Sequence, residues 1–278
     1  DEAIGKTMEK AKSKFAGHEI DGKTLGVIGL GAIGYKLAKA AFALGMDVIG
    51  YDPFLSDKVR GELQAAAEVF GRKVCFTADV KDVYANADYV TLHVPENKDT
   101  KGMVGAEALA RMKEDAALLN FARPGLVDEA ALKQALEGGK IRKYVTDVPS
   151  FVTANLPNVI AFPHLGASTE EAEDASAIMA VDEIIDYLEN GNIVNSVNFP
   201  ALSLGPKAEG QVRVSVLFKA EEGIAEKLSG FFGGFGLKNN VVKTRGAYGA
   251  GLFELSAELC PCKVNAAIPG LLRVRVLK

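Results

Sequence analysis

The chain has 278 residues, of which 48% are hydrophobic, 24% are charged and 29 are glycine, a composition typical of folded α/β proteins with about two domains. It excludes disordered, collagen-like and coiled-coil classes, and we expect no membrane partner because no apolar run reaches the ~18–20 residues of a membrane span. Residues 1–200 carry 21 basic against 30 acidic side chains, while residues 201–278 carry 11 against 6 with interleaved glutamates, so no nucleic-acid partner is expected.

Residues 24–52 have the pattern of a strand, a glycine cluster, a helix and a second strand. Residues 24–28 and 47–51 are short apolar runs, and residues 32–44 are strong helix formers. Further strands are predicted at 74–76, 89–94, 117–120 and 144–148, with helical patterns such as 128–137 between them. This repeated alternation predicts an α/β fold with a doubly wound parallel sheet of the Rossmann type.

The rest of the chain predicts a long helix, a linker and a second domain. An acidic helix is expected from Ser168 or Thr169 to Asn190, with Gly191 as its stop. It closes a first domain of residues 1–200, and residues 201–210 lack periodicity, which predicts a linker. In residues 211–278 the order strand, helix, strand, strand, helix, strand is ferredoxin-like, with elements expected at 212–218, 222–232, 240–243, 251–259, 263–268 and 271–277.

The glycine cluster is a Gly-x-Gly-x-x-Gly motif between a predicted strand and a predicted helix. The first glycine permits a tight turn, the second lets the backbone approach a pyrophosphate, and the third lets the helix pack close to the strand. The residues of this predicted phosphate site are Gly29, Gly31, Ala32, Ile33 and Gly34. Asp52 ends the next strand, where it can accept hydrogen bonds from ribose hydroxyls and repel a 2′-phosphate, so NAD is favoured over NADP. The alternative is a glycine-rich turn that only packs, and the acid at this distance argues against it.

Three further polar residues follow predicted strands. Arg123, Asp147 and His164 each lie just past an apolar run, where open α/β sheets bind ligands. An arginine there can bind a carboxylate, and a histidine can take or give a hydroxyl proton near neutral pH. Taken singly, each also fits a structural role as a surface arginine, a capping aspartate or a core histidine.

Five segments, taken in order, resemble the D-2-hydroxyacid dehydrogenases. They lie at residues 22–34, 120–123, 146–148, 163–172 and 195–200, and include the sequences Asn-Phe-Ala-Arg and Pro-His-Leu-Gly-Ala-Ser-Thr. The resemblance is strongest to the branch that oxidises D-3-phosphoglycerate to 3-phosphohydroxypyruvate in serine synthesis. Residues 211–278 are similar to the ACT regulatory domain that this branch carries. The family implies NAD as cofactor, a small-molecule substrate, no metal, and a homo-oligomer, either a dimer or a tetramer.

The resemblance also assigns roles to individual residues. It implies that Arg123 holds the substrate carboxylate and polarises the carbonyl, that His164 is the acid–base group, and that Asp147 contacts the nicotinamide end of NAD. On resemblance alone, the cofactor site further includes His93, Pro95, Ala122 and Gly166.

The chain departs from the family pattern at several positions. Val152 stands where the family has a glutamate that orients the catalytic histidine, so we expect reduced turnover and a partly buried His164 that favours its neutral form. Pro124 replaces a glycine and biases Arg123 toward extended geometry. Phe218 and Ala220 replace the residues with which family members sense serine, so serine feedback is not expected.

The remaining expectations concern activity, chain start and location. One alternative to the dehydrogenase is a catalytically weak NAD-binding or sensing protein, and another is a dehydrogenase of a different 2-hydroxy acid. Because the first residue is Asp rather than Met, we expect the natural chain to begin earlier, with most of the substrate domain in that preceding part. Cys75, Cys260 and Cys262 form no disulfide framework and are expected to be reduced, and the opening residues resemble no signal peptide, which together predict a cytoplasmic protein.

Overall fold

A computed structural model describes residues 2–256, 264, 267–268 and 270–277. The chain divides into two compact units, Asp1–Gly166 and Ala167–Lys278. The first contains a seven-stranded sheet whose paired strands are all parallel, and the second contains a four-stranded antiparallel sheet. The prediction of an α/β fold with a doubly wound parallel sheet, followed by a smaller sheet domain, is confirmed.

The first unit alternates strands with helices as predicted. Its strands are β1 (Thr24–Ile28), β2 (Asp47–Tyr51), β3 (Val74–Thr77), β4 (Tyr89–Leu92), β5 (Ala117–Asn120), β6 (Lys143–Thr146) and β7 (Val159–Ala161). Its helices are α1 (Glu2–Ala11), α2 (Ala32–Ala43), α3 (Asp57–Val69), α4 (Val80–Asn86), α5 (Ala106–Arg111), α6 (Glu129–Glu137) and α7 (Phe151–Ala154), with 3₁₀ turns at Lys12–Phe15 and Pro124–Leu126.

The parallel sheet is buried on both faces. Its strand order is β3-β2-β1-β4-β5-β6-β7. Val27 packs into the cluster formed with α2 and α3, while its neighbour Ile28 packs into the cluster formed with α4, α5 and α6. Successive residues of a strand point to opposite faces, so a strand covered on both sides must be apolar throughout. This explains why the strands appear in the sequence as short continuous apolar runs.

The second unit begins with a long helix that leads into the antiparallel sheet. Its elements are α8 (Glu170–Asn190), β8 (Val212–Lys219), α9 (Ile224–Gly233), β9 (Leu237–Arg245), β10 (Tyr248–Leu255) and β11 (Leu271–Leu277). The sheet order is β11-β8-β10-β9. Thr169 caps α8 by accepting a hydrogen bond from the Ala172 N–H, and Gly191 ends it with a φ of 76°. These caps confirm the predicted bounds of the helix.

The segment predicted as a linker packs against the second unit. Leu202 is 3% exposed and pairs with Ile193, and the carbonyl oxygens of Gly205 and Pro206 accept hydrogen bonds from the Arg213 guanidinium. Residues 201–210 therefore belong with the second core, because their apolar side chains cover one face of its sheet. The two compact units divide earlier than the boundary predicted at residue 200, and α8 falls in the second.

Some sequence predictions concern residues outside the described ranges. The predicted helix at 263–268, apart from residues 264, 267 and 268, is among them, as are the end of the strand predicted at 251–259 and Cys260 and Cys262. Cys75 is a free, exposed thiol. Among the helices of the described ranges, none combines the length and the apolar character needed to cross a bilayer.

Candidate active site

The predicted site residues follow the carboxyl ends of six neighbouring strands of the parallel sheet. The strand registers align the last residues of these strands in one terminal row, which runs Tyr51, Ile28, Leu92, Asn120, Thr146 and Ala161. Asp52, Gly29, His93 and Asp147 each come one residue after this row, and Arg123 and His164 each come three residues after it. The chain leaves β1 for β2 on one side, and β4 lies on the other, so the row spans the switch point at which open α/β sheets bind ligands.

The three motif glycines have three different structural roles. Gly29 has a φ of 92°, and a Cβ atom there would lie 2.5 Å from the His93 carbonyl oxygen. At Gly34 a Cβ atom would lie 2.0 Å from the Gly29 carbonyl oxygen. At Gly31, by contrast, no heavy atom of the described residues other than Gly31 and its two chain neighbours lies within 4 Å of that position, and no side chain at the N-cap satisfies the first N–H groups of α2. The turn therefore offers open space and free donors, which suits a pyrophosphate.

Asp52 is fixed by two backbone donors. Its Oδ2 accepts a hydrogen bond from the Leu30 N–H, and its Oδ1 accepts one from the Phe54 N–H, both at 2.8 Å. A carboxylate has about four acceptor positions, so two remain for the hydroxyls of a ribose. The position at the end of β2 and the remaining acceptors fit the role predicted for Asp52 in NAD binding.

Asp147 is buried with one unsatisfied oxygen. The residue is 8% exposed, and among the described residues its Oδ1 has no hydrogen-bond partner. Because a buried polar atom without a partner is energetically unfavourable, this oxygen is suited to an N–H donor supplied by a ligand. The carboxamide of a nicotinamide is such a donor, so the residues present fit the cofactor at this end of the row as well.

His93 lies half-buried between the glycine turn and β4. Its Nε2 is 3.0 Å from the Thr91 Oγ1, and burial lowers the pKa of His93 below 6.5. The ring is thus neutral at neutral pH, which removes a cation from this part of the site. Pro95 follows, and its carbonyl oxygen accepts a hydrogen bond from the Thr100 hydroxyl at 2.6 Å, which orders the loop after β4.

The Arg123 loop is held from below by Asn120. This buried side chain donates to the Arg123 carbonyl oxygen at 2.9 Å and accepts from the Ala122 N–H at 3.1 Å. Arg123 is extended, with φ −143° and ψ 140°, as expected before Pro124, and its side chain is exposed. Sequence reasoning assigned Asn120 no role of its own. A polar residue at the end of an apolar strand is the signal that could have identified it.

The histidine end of the site differs from expectation. His164 is exposed, as are the residues around it from 161 to 170, so the expectation of a partly buried ring is wrong. Burial fails here because β7 is the edge strand of the sheet. Gly166 lies in the same exposed stretch. Val152 lies in α7 and is 46% exposed, and no Asp or Glu in the described residues forms an ion pair with His164.

Comparison with known proteins identifies the class. Residues 2–166 match the family model described as D-isomer specific 2-hydroxyacid dehydrogenase, NAD binding domain. The chain therefore belongs to the D-isomer-specific 2-hydroxyacid dehydrogenases, and NAD is the cofactor of this domain. The family and the cofactor predicted from the sequence are confirmed.

The chain is similar to dehydrogenases with two different names. A D-3-phosphoglycerate dehydrogenase of Methanocaldococcus jannaschii is 42% identical over 209 residues, which cover 72% of this chain and 38% of the relative. One from Dictyostelium discoideum is 32% identical over 273 residues, which cover 94% of this chain and 64% of the relative. A D-lactate dehydrogenase from Lactobacillus jensenii, solved with NAD+, matches with a TM-score of 0.53 and 29% identity over 64% of this chain and 59% of that one. The chain thus spans less than two thirds of the length of each of these relatives.

Proposed function

We propose that the protein containing this chain oxidises D-3-phosphoglycerate to 3-phosphohydroxypyruvate with NAD, a step of serine synthesis. The observation that supports the proposal is the terminal row: Arg123 and His164 follow β5 and β7, which lie in the same sheet as β1 and its glycine turn. The names of the relatives support the choice of substrate.

Each residue has a chemical task in this reaction. When bound, NAD supplies the acceptor for the hydride that leaves the substrate carbon. The Arg123 guanidinium binds the substrate carboxylate through paired N–H groups and polarises the adjacent carbon–oxygen bond. A ring nitrogen of His164 takes the hydroxyl proton, so the alcohol loses one hydride and one proton in all. The Asp147 Oδ1 orients the nicotinamide end by accepting from its carboxamide.

Two alternatives remain as competing hypotheses. A catalytically weak NAD-binding or sensing protein is favoured by Val152, since no carboxylate of the described residues pairs with His164 to stabilise its imidazolium. A dehydrogenase of another 2-hydroxy acid is favoured by the similarity to the solved D-lactate dehydrogenase.

The finer expectations about the assembly belong to the same proposal. We infer an ACT-like regulatory role for residues 211–278, supported by the antiparallel order β11-β8-β10-β9. A homo-oligomer, either a dimer or a tetramer, and a cytoplasmic location are inferred from the family resemblance and the cysteine content.

The test is a substrate panel for the protein containing this chain. NADH formation is followed with D-3-phosphoglycerate, D-glycerate and D-lactate. We expect the highest kcat/KM for D-3-phosphoglycerate and its loss in Arg123→Ala and His164→Ala. A higher kcat/KM for D-lactate indicates the other hydroxy-acid enzyme. NAD binding without turnover of any of the three indicates the binding protein.

A further inference from the structure

The turn that follows Arg123 lacks a cap of its own. Residues Pro124–Leu126 form a 3₁₀ turn with Arg123 as N-cap. The Arg123 side chain accepts no hydrogen bond from the first N–H groups of this turn. The Gly125 N–H instead donates to the Glu96 Oε2 at 3.2 Å, across 29 positions of sequence. A carboxylate that accepts from a backbone N–H forms a charge-assisted hydrogen bond, which is stronger than one between neutral groups.

Gly125 is shaped to receive this carboxylate. A Cβ atom at Gly125 would lie between 2.2 and 2.5 Å from the three carboxyl atoms of Glu96, so any larger residue would displace the acid. The Gly125 carbonyl oxygen accepts from the Gly102 N–H at 2.8 Å. Both backbone polar groups of Gly125 are therefore bonded to the segment that follows β4.

The Arg123 loop thus has two anchors of different character. Asn120 lies beneath the loop and is buried, and it bonds the backbone of Ala122 and Arg123. Glu96 is exposed and charged, and it bonds the loop two residues after the arginine. Asn120 belongs to the rigid sheet, whereas Glu96 directly follows Pro95 in the loop assigned to the cofactor. The second anchor therefore joins the cofactor loop to the arginine loop.

We propose that Glu96 is a positioning residue that couples occupation of the cofactor site to the placement of Arg123. A cofactor lying against Pro95 restricts the Glu96 backbone. The Glu96 carboxylate then holds the Gly125 N–H, and this contact keeps the Arg123 guanidinium in position to bind a substrate carboxylate. Coupling of this kind is reciprocal, so each ligand raises the affinity for the other by the same factor. The inference rests on the proposed role of Arg123 as the carboxylate-binding group.

The experiment measures this coupling with a ligand that does not react. Oxamate carries a carboxylate beside a carbonyl group and has no hydride to give. Its affinity is measured by calorimetry with and without NADH, for the protein containing this chain and for Glu96→Ala, Glu96→Gln and Arg123→Ala. We expect NADH to strengthen oxamate binding, and we expect Glu96→Ala to reduce that enhancement by about fivefold, the order for one charge-assisted hydrogen bond at an exposed position.

The variants distinguish positioning from simple structural damage. The Glu96→Gln variant keeps an acceptor for the Gly125 N–H, so it should recover most of the coupling. In the absence of oxamate, NADH affinity in both Glu96 variants should change by a smaller factor than the NADH-dependent enhancement of oxamate binding changes in Glu96→Ala. Glu114→Ala, which removes an exposed glutamate outside the site, is the matched control and should leave the coupling intact. An undiminished enhancement in Glu96→Ala would overturn the inference.

A second measurement does not depend on any substrate. In the NADH complex, the amides of residues 122, 123 and 125–127 should exchange hydrogen faster in Glu96→Ala than in Glu96→Gln, and Gly125→Ala should resemble Glu96→Ala. Equal exchange in all variants would overturn the anchor itself. If oxamate binding is insensitive to Arg123→Ala while the exchange result holds, the proposed function fails at Arg123 and the anchor stands. The pH profile of turnover should keep its midpoint in Glu96→Ala, because Glu96 acts through Arg123 and not through His164.

Discussion

The Asp52 carboxylate accepts a hydrogen bond from the Leu30 N–H at 2.8 Å, which ties the acid at the end of β2 to the middle of the glycine turn. Asp52 therefore shapes the turn in addition to its predicted contact with a ribose. Removal of the carboxylate should loosen the glycine turn, which is the proposed phosphate site, and should also remove the charge that would repel a 2′-phosphate.

We expect Asp52→Ala to weaken NAD binding by about tenfold or more, because hydrogen bonds to a charged group contribute roughly 1.5–3 kcal/mol each. NADP binding should weaken less, since the variant no longer repels the 2′-phosphate. Asp52→Asn keeps an acceptor for the Leu30 N–H, so it should narrow the gap between the two cofactors with less loss for NAD. Calorimetric titration of both cofactors checks this. Equal affinity of the unmodified protein for NAD and NADP would show that Asp52 is wrongly assigned.

Alanine substitutions at Gly31 and Gly34 should affect different properties, NAD affinity in the first case and thermal stability in the second. Gly31→Ala places it in open space, so the melting temperature should change little while NAD affinity falls, because the phosphate can no longer approach the backbone. Gly34→Ala forces it against the Gly29 carbonyl oxygen, so the melting temperature itself should fall. Thermal unfolding with and without NAD separates the two effects. The assignment is contradicted if Gly31→Ala lowers the melting temperature without NAD as much as Gly34→Ala does.

A carboxylate at position 152 should improve catalysis. Val152 is exposed on α7, so a glutamate fits there without disturbing the core. In the proposed reaction, an anion near His164 would stabilise the imidazolium formed when the ring takes the substrate proton. We expect Val152→Glu to raise kcat by about tenfold, a part of the 10²–10⁴-fold typical of acid–base catalysis. NAD affinity should not change, and Val152→Gln is the uncharged control. Steady-state NADH formation against pH provides the measurement, and equal rates in all three proteins would place the acid elsewhere.

Burial of His93 should make stability depend on pH. Its pKa is lowered in the folded protein, so below about pH 6.5 the unfolded chain binds more protons than the folded one. The contribution of neutral His93 to the free energy of unfolding should therefore be fully present above about pH 6.5 and should be lost as the pH falls below that value. We expect a smaller loss in His93→Gln, which cannot take up that proton. Urea unfolding at about pH 7.5 and about pH 5.5 checks this, and equal losses in the two proteins would contradict it.

Removing one partner of the buried ion pair between Arg213 and Glu254 should destabilise the second unit more than replacing both partners with apolar residues. Arg213 is 1% exposed and also bonds the carbonyl oxygen of Asn190, at the end of α8. We expect Arg213→Met alone to destabilise the second unit by about 3–5 kcal/mol, because it leaves a buried carboxylate without a partner. Arg213→Met combined with Glu254→Leu should recover much of this loss. Chemical denaturation of both variants tests the pair, and a double variant no more stable than the single one would contradict this account.

Local signals explain most of what could be predicted. The strand at 24–28 and the caps at Thr169 and Gly191 follow from apolar runs, a hydroxyl side chain and a glycine, each of which acts over a few residues. Helix α7 went unpredicted because four residues carry no periodicity, and it depends on the reciprocal Ser150 and Thr153 capping box. Helix α1, in the polar opening of the chain, was not predicted either.

The site was predictable as a set of residues but not as an arrangement. Each strand-end residue could be identified from its own apolar run or from the family resemblance. The contact of Glu96 with Gly125 joins two loops whose approach depends on β4 and β5 being neighbours, which no local pattern specifies. The exposure of His164 depends likewise on β7 lying at the edge of the sheet. Both are properties of the strand order.

The strand order has a consequence for folding. The chain runs outward from β1 to β3 and then returns to place β4 against β1, so the two halves of the nucleotide site come together only when the sheet closes across that gap. A sheet that lacks either side of the β1–β4 junction contains only part of the proposed cofactor site, so NAD should stabilise the pairing of the two sides. At a free NAD concentration of 100 Kd, this linkage amounts to about 2.7 kcal/mol. Because NAD binds only the folded sheet, the free NAD concentration helps to set the fraction of the first unit that is folded.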